Sequence, residues 1–254
     1  ADLSIGAYLL GLFVILGTAY SQYLVKYGPL VDFIVIYGIP AAVVSYLWGR
    51  SILRRSTDHN RTAFEYGLGY FALFTAIGLF FSIVILLILL AIDPSTLVLL
   101  QKPNPVMNVS PERAWIMVGA SFLVVGPAEE YLYRGFVYGG LLKIFHRHHW
   151  LVLGLVSELI FAAAHLYYGF TYGPVSGVMF ASLIAFGMAM AATYYISGGN
   201  LLAPVIIHGA YDATGFLGVA TGSIPLLLVL RGALFAIGLG FALYLFFGKN
   251  KRRD

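Results

Sequence analysis

The chain has 254 residues, of which 60% are hydrophobic and only 10% charged. That composition excludes a soluble domain and predicts an all-α, polytopic membrane helix bundle with the lipid bilayer as its solvent. The absence of cysteine rules out thiol nucleophiles, disulfides and thiolate metal ligands, and a net charge of +4 fits cationic anchors at one membrane face, with no nucleic acid as partner.

The length accommodates about eight spans of roughly 20 residues with short loops, so residues 1–254 are expected to form a single transmembrane domain. The first span covers about 4–25; it lacks a basic leading region, so no cleavable signal peptide is expected. The second covers about 29–49 and runs into the most basic loop, with Arg50, Arg54, Arg55 and Arg61. The third covers about 65–92. A polar, proline-containing segment, 93–112, leads to Ser110 and Pro111, a capping residue followed by a proline fit for the first helical position. These launch a long fourth span, about 111–145, with spans five to eight at about 150–168, 174–197, 200–220 and 224–247. Basic clusters follow spans two, four and eight, the last being the closing run KNKRRD. Eight spans with both termini in the cytoplasm (N-in/C-in) put all three clusters on the cytoplasmic side, as the positive-inside rule requires.

Against this background the stretch GPAEEYLYRGFVYGG, 126–140, is anomalous, because Glu129, Glu130 and Arg134 interrupt an apolar run. Ionisable residues inside a membrane are costly and face a bundle interior or an aqueous cavity. Glu130 and Arg134 stand four apart in the orientation that favours a pair on one helix face, while Glu129 points about 100° away. Span five carries Glu158 and His165, seven apart and so nearly on one face, with Phe161 one turn before the histidine. Span seven carries His208 and Asp212, four apart, and Arg231 in span eight is close enough to the end to snorkel or pair. Gathered together, these groups satisfy one another, which makes a shared site the expectation, within a core of about 110–220. Whether Glu158 belongs to it stays open. Straight helices would put Glu129 and His165 roughly 20–25 Å from the cytoplasmic ends of their spans and His208 nearer about 12 Å. That mismatch implies a re-entrant GGNLLAP segment before span seven, or a bent or overlong span four.

Three chemistries suit such a set. A carboxylate in a partly dry cavity can act as general base on water, with histidine sharing the proton and further donors holding an oxyanion. Two histidines with carboxylates can ligate zinc, although the helical HExxH pattern is absent. Intramembrane carboxylates and histidines also build proton relays in transporters. No GxSG serine motif is present, and the pair Tyr211-Asp212 lacks a GxGD partner. Gly135/Gly139 and Gly169/Gly173 have the spacing of close helix packing.

Glu129-Glu130 with Arg134, Phe161 with His165, and His208 with Asp212 resemble, in order and spacing, the EExxxR, FxxxH and HxxxN/D motifs of the CAAX prenyl endopeptidase and bacteriocin-processing (CPBP, or Abi) family. The resemblance implies a prokaryotic or archaeal intramembrane glutamate protease in the cell membrane, with its site reached from the cytoplasm. By position it implies Glu129 as general base, His165 as the histidine that helps activate water, and His208 with Asp212 as the oxyanion pair. Glu130, Arg134 and Phe161 are then site-shaping. The implied substrate is a prenylated CAAX-type protein or a small membrane-associated peptide, with no cofactor; zinc held by the same residues is the alternative. A non-catalytic bacteriocin-immunity or transport protein is the other alternative, but the chain shows no clear inverted repeat. One departure stands out: family members of the CAAX-processing kind typically carry Asn where this chain has Asp212, and an ionised Asp accepts hydrogen bonds but cannot donate one.

Overall fold

The computed structural model describes residues 3–24, 29–54, 56–102, 104 and 106–248, and every regular element among them is helical. Arg55 and the closing KNKRRD run lie outside the described residues. Eight rods follow the chain: α1 (Ile5–Leu24), α2 (29–53), α3 (Asn60–Ile92), α4 (111–144), α5 (Trp150–Ala164), α6 (Ser176–Ile196), α7 (Leu202–Thr221) and α8 (224–248). Five stretches among the described residues are long and apolar enough to cross a membrane, and Ile5–Ser21 and Trp150–Ala164 are shorter apolar helices. The molecule is a polytopic membrane helix bundle, as its composition predicts.

Boundaries differ from expectation where polar residues take part in helices. Arg61 and Glu65 pair at 2.8 Å across one turn, so α3 begins at Asn60 and not at 65. The segment 93–112 contains a short helix, Thr96–Leu100. The start of α4 follows the sequence: Ser110 Oγ accepts the Arg113 N–H at 3.4 Å, with Pro111 next.

Neither α2 nor α4 is regular throughout. Ile34–Gly38 in α2 and Ser121–Val125 in α4 adopt the wide i→i+5 pattern, with the Ile39 N–H on the Ile34 carbonyl and the Gly126 N–H on the Ser121 carbonyl. Each is followed two residues on by a proline, Pro40 or Pro127. A proline cannot donate to the carbonyl four residues back and its ring crowds that carbonyl; a widened turn relieves the conflict without ending the helix. A third wide stretch, Glu130–Tyr138, has no proline and coincides with the polar cluster.

The middle of α4 is the core. Leu132, Tyr133, Phe136, Val137 and Tyr138 are at most 5% exposed. Around it stand α1, α2, α5 and α6, while α7 lies on the first half of α4. Outside them α3 packs along α6, and α8 along α3. Close packing explains one glycine pair: a Cβ on Gly135 would stand 2.6 Å from Ile52, and one on Gly139 3.0 Å from the Tyr194 hydroxyl. The reading of Gly169/Gly173 as a packing pair is corrected, since a Cβ on either would meet nothing within 4 Å. Gly173 has φ +55°, and its role is the turn into α6.

The α3–α8 contact can be tested at Gly238, where a Cβ would come 2.5 Å from the Leu68 carbonyl oxygen, a backbone atom that cannot swing aside. Gly238→Ala should destabilise the detergent-purified protein by about 1–3 kcal/mol. Gly240→Ala, which enters open space, should leave the melting temperature equal or slightly higher. Equal melting temperatures for both variants would refute the contact.

Candidate active site

Arg134 is the centre of the buried polar groups. Its side chain is fully buried, with Nη2 donating to Glu158 Oε2 at 2.8 Å and Nη1 3.2 Å from Glu130 Oε1. The second contact is an ion pair without the alignment of a hydrogen bond. The guanidinium lies 4.7 Å over the Phe161 ring. The i,i+4 pair predicted from spacing is present. Glu158, whose place was open, is the interhelical partner of Arg134 and joins α5 to α4.

Glu130 carries the network onward. Its Oε1 lies 2.7 Å from His208 Nδ1, a hydrogen bond in which the ring N–H donates to the carboxylate. His208 Nε2 then points at two further carboxylates, Asp212 Oδ2 at 3.4 Å and Glu129 Oε2 at 3.7 Å. With carboxylates at both nitrogens, the imidazolium form, a donor at each end, satisfies every contact. The His208 ring is fixed from the side by Phe186, edge-on at 5.0 Å.

Glu129 differs from its neighbour. It lies against a cavity of about 420 Å³ whose walls also include His165, His208 and Asp212. Its other oxygen, Oε1, accepts the Tyr37 hydroxyl at 2.7 Å. Tyr37 comes from the widened turn of α2 and was not among the residues predicted for the site; its one trace in the sequence is a hydroxyl in the middle of an apolar span, a few residues before Pro40. Two features bear on the depth mismatch for His208. Wide turns put more residues into each turn of α4. The connection before α7 is itself buried, with Asn200 wholly enclosed and the Leu201 and Leu202 N–H groups both on the Ser56 carbonyl.

His165 does not continue α5, which the sequence suggested ran to about 168. The helix stops at Ala164, and His165 Nδ1 bonds the Phe161 carbonyl at 2.9 Å. A carbonyl only accepts, so Nδ1 carries a proton, which leaves Nε2 as the ring nitrogen not used in that bond. The imidazole sits against Phe161 (4.6 Å, edge-on) and is stacked on Tyr168 at 6.3 Å. The same-face argument for Glu158 and His165 therefore fails: Glu158 turns to Arg134, and His165 turns to the cavity. Arg231 joins neither; its guanidinium lies 4.5 Å over Tyr211 and its Nε donates to Thr214 Oγ1.

Chemically, the cavity presents one carboxylate held by a tyrosine, one histidine fixed through Nδ1, and one histidine braced by carboxylates. That is a proton acceptor for water beside a set of donors, the composition that metal-free hydrolysis requires. Among the described residues no group of three His, Asp or Glu is arranged to hold a metal ion.

Comparison with known proteins adds one finding. Residues 111–214 match the model of a family described as type II CAAX prenyl endopeptidase Rce1-like. No curated protein and no solved structure gives a significant match. The matched stretch begins at the start of α4 and ends in α7, and it contains all seven motif residues.

The arrangement around Arg134 predicts sharp penalties for small changes. Glu158→Ala leaves a buried guanidinium short of a carboxylate and should cost about 3–5 kcal/mol, read as a lower melting temperature or loss of folded protein; Glu158→Gln, which keeps the shape, should cost less. Gly187→Ala on α6 would drive a Cβ into Glu158 Oε2 and to 2.8 Å from Arg134 Nη2, and should destabilise to a similar degree although it removes no polar atom. Wild-type stability in Gly187→Ala would contradict the geometry.

Proposed function

We propose, for a chain that belongs to the CAAX protease family, that it is an intramembrane peptidase of the CAAX-processing kind with Glu129 as its general base. The observation that carries this reading is the position of the Glu129 carboxylate, buried yet lining the cavity, held by Tyr37 at 2.7 Å and faced by His208 at 3.7 Å. Glu129 takes a proton from water while Nε2 of His165 orients that water. The new O–H group attacks the scissile carbonyl carbon, and the carbonyl π electrons move onto oxygen. The imidazolium of His208 donates to that oxyanion from Nε2. Collapse of the intermediate breaks the C–N bond, and the proton held on Glu129 passes to the leaving amine. No residue forms a covalent bond to substrate, and no metal is required.

Asp212 takes a part other than that of an Asn donor. At 3.4 Å from His208 Nε2 it is an acceptor that orients the imidazolium, and the oxyanion contact falls to His208 alone. Glu130 and Arg134 shape the site from behind: Glu130 holds His208 through Nδ1, and Arg134 fixes Glu130. The apolar walls of the cavity, including Met179, Leu183 and Phe216, support a substrate that brings a prenyl chain with its peptide. The proposed substrate is therefore a prenylated CAAX-type protein in the cell membrane, reached from the cytoplasmic side.

Cleavage of a farnesylated CAAX peptide by the detergent-purified protein tests the assignment. Glu129→Gln should lower kcat by roughly 10²–10⁴-fold with folding intact, and a chelator should leave the wild type active. Activity lost to chelation and restored by zinc would overturn the metal-free mechanism. Tyr37→Phe removes one hydrogen bond from the base and should reduce kcat about tenfold with little change in KM; a change confined to KM would move Tyr37 from positioning the base to binding substrate.

A further inference from the structure

One acid of the catalytic cavity has no part in the mechanism. Asp32 lies in the first turn of α2, where a helix N-terminus favours negative charge. It lines the same cavity as Glu129, His165 and Asp212, and it is partly exposed. Glu129 is engaged by Tyr37, and Asp212 lies 3.4 Å from His208. The Asp32 carboxylate, by contrast, makes no hydrogen bond or ion pair among the described residues. Nor does any lysine or arginine among the described residues line the cavity. An acid without a partner on a largely apolar and aromatic wall is open to a cation brought in from outside.

The position of Asp32 narrows what that cation can be. At 3.6 residues per turn Asp32 and Tyr37 would point about 140° apart. The widened turn Ile34–Gly38 swings them toward one face, and both line the cavity. Phe33 stacks on Tyr37 at 5.9 Å and also lines the cavity, so aromatic rings stand beside the carboxylate. That pairing suits an ammonium or guanidinium group. Tyr37 holds the general base, which puts Asp32 roughly 7 Å along the helix from the point of attack, at about 1.5 Å per residue. An extended peptide covers about 3.3 Å per residue, and a lysine or arginine adds the length of its own side chain. A basic residue about two to four positions from the scissile bond therefore reaches Asp32. The carboxylate that ends a CAAX-type chain would be repelled there, so α2 faces the peptide on the N-terminal side of the scissile bond.

We propose that Asp32 is a specificity-determining residue, which pairs with a lysine or arginine about two to four residues before the scissile bond of the substrate. The proposal rests on the peptidase reading above and adds a charge requirement to it. The apolar walls take the prenyl chain, and Asp32 takes the basic side chain. A peptide held at both points lies across Glu129 in one direction only.

The test uses the full-length protein in a neutral detergent and farnesylated CAAX peptides that carry Lys, Gln or Glu at the second, third or fourth residue before the scissile bond. For at least one of these positions the wild type should show a KM about fivefold lower for Lys than for Gln, and the highest KM for Glu, with kcat little changed. A Lys placed after the scissile bond should bring no gain. Asp32→Asn should erase the difference between Lys and Gln, and Asp32→Lys should reverse the order in favour of Glu. Dissociation constants of the same peptides on Glu129→Gln, read by fluorescence anisotropy, should follow the wild-type order. Equal values for Lys and Gln at all three positions, or a Lys preference that survives Asp32→Asn, would overturn the assignment and leave the peptidase reading standing. Asp32-dependent, charge-selective binding without cleavage by the wild type would do the reverse. Failure of every Lys peptide to bind would overturn both.

Discussion

A single buried guanidinium organises this bundle. Stripping Arg134 of water in a membrane interior is tolerable only where carboxylates replace the solvent, and two do so: Glu130 from its own helix and Glu158 from α5. The consequences spread from there. Phe161 is held flat beneath the cation, and the position of Phe161 sets the carbonyl on which His165 ends α5. Gly187 of α6 must lack a side chain because Glu158 occupies the space. Glu130, fixed by Arg134, reaches His208 and so fastens α7. Four helices are thus set in rotation and depth around one charge.

The two adjacent glutamates show how environment divides identical residues. Glu130 is wholly enclosed and shared between an arginine and a histidine, so its part is to hold others. Glu129, one step round the helix, keeps a cavity-facing surface and is held by the hydroxyl of Tyr37 and not by Arg134. A carboxylate locked to a guanidinium is a poor proton acceptor; one positioned by a phenol remains available. The wide turns of α4 assist, since i→i+5 geometry changes which side chains stack on each face and is found most often where function demands it.

The rest of the molecule satisfies the bilayer. Its outer surfaces are apolar, with Phe13, Leu123 and Leu228 largely exposed, while the polar residues are drawn inward or gathered at the helix ends. The cavity beside Glu129 shares this character, its walls mainly apolar and aromatic with Asp32, Glu129 and Asp212 as the acids among its lining.

The sequence by itself determined the membrane bundle, the eight rods and the three polar segments, because burial in lipid demands long apolar runs and makes each intramembrane charge conspicuous. It also determined the Glu130–Arg134 pair and the Ser110 cap, whose partners lie within one turn and depend only on local helix geometry. The tertiary structure alone decided that Glu158 serves Arg134, that Tyr37 holds Glu129, that His165 stands outside its helix, and that Gly187 must be glycine. Apart from that of His165, whose partner carbonyl lies four residues back, these contacts join residues far apart in the chain and on different rods. Which face each rod turns to its neighbour follows from packing and from the widened turns, and these break the regular 3.6-residue phase on which any reading by spacing relies.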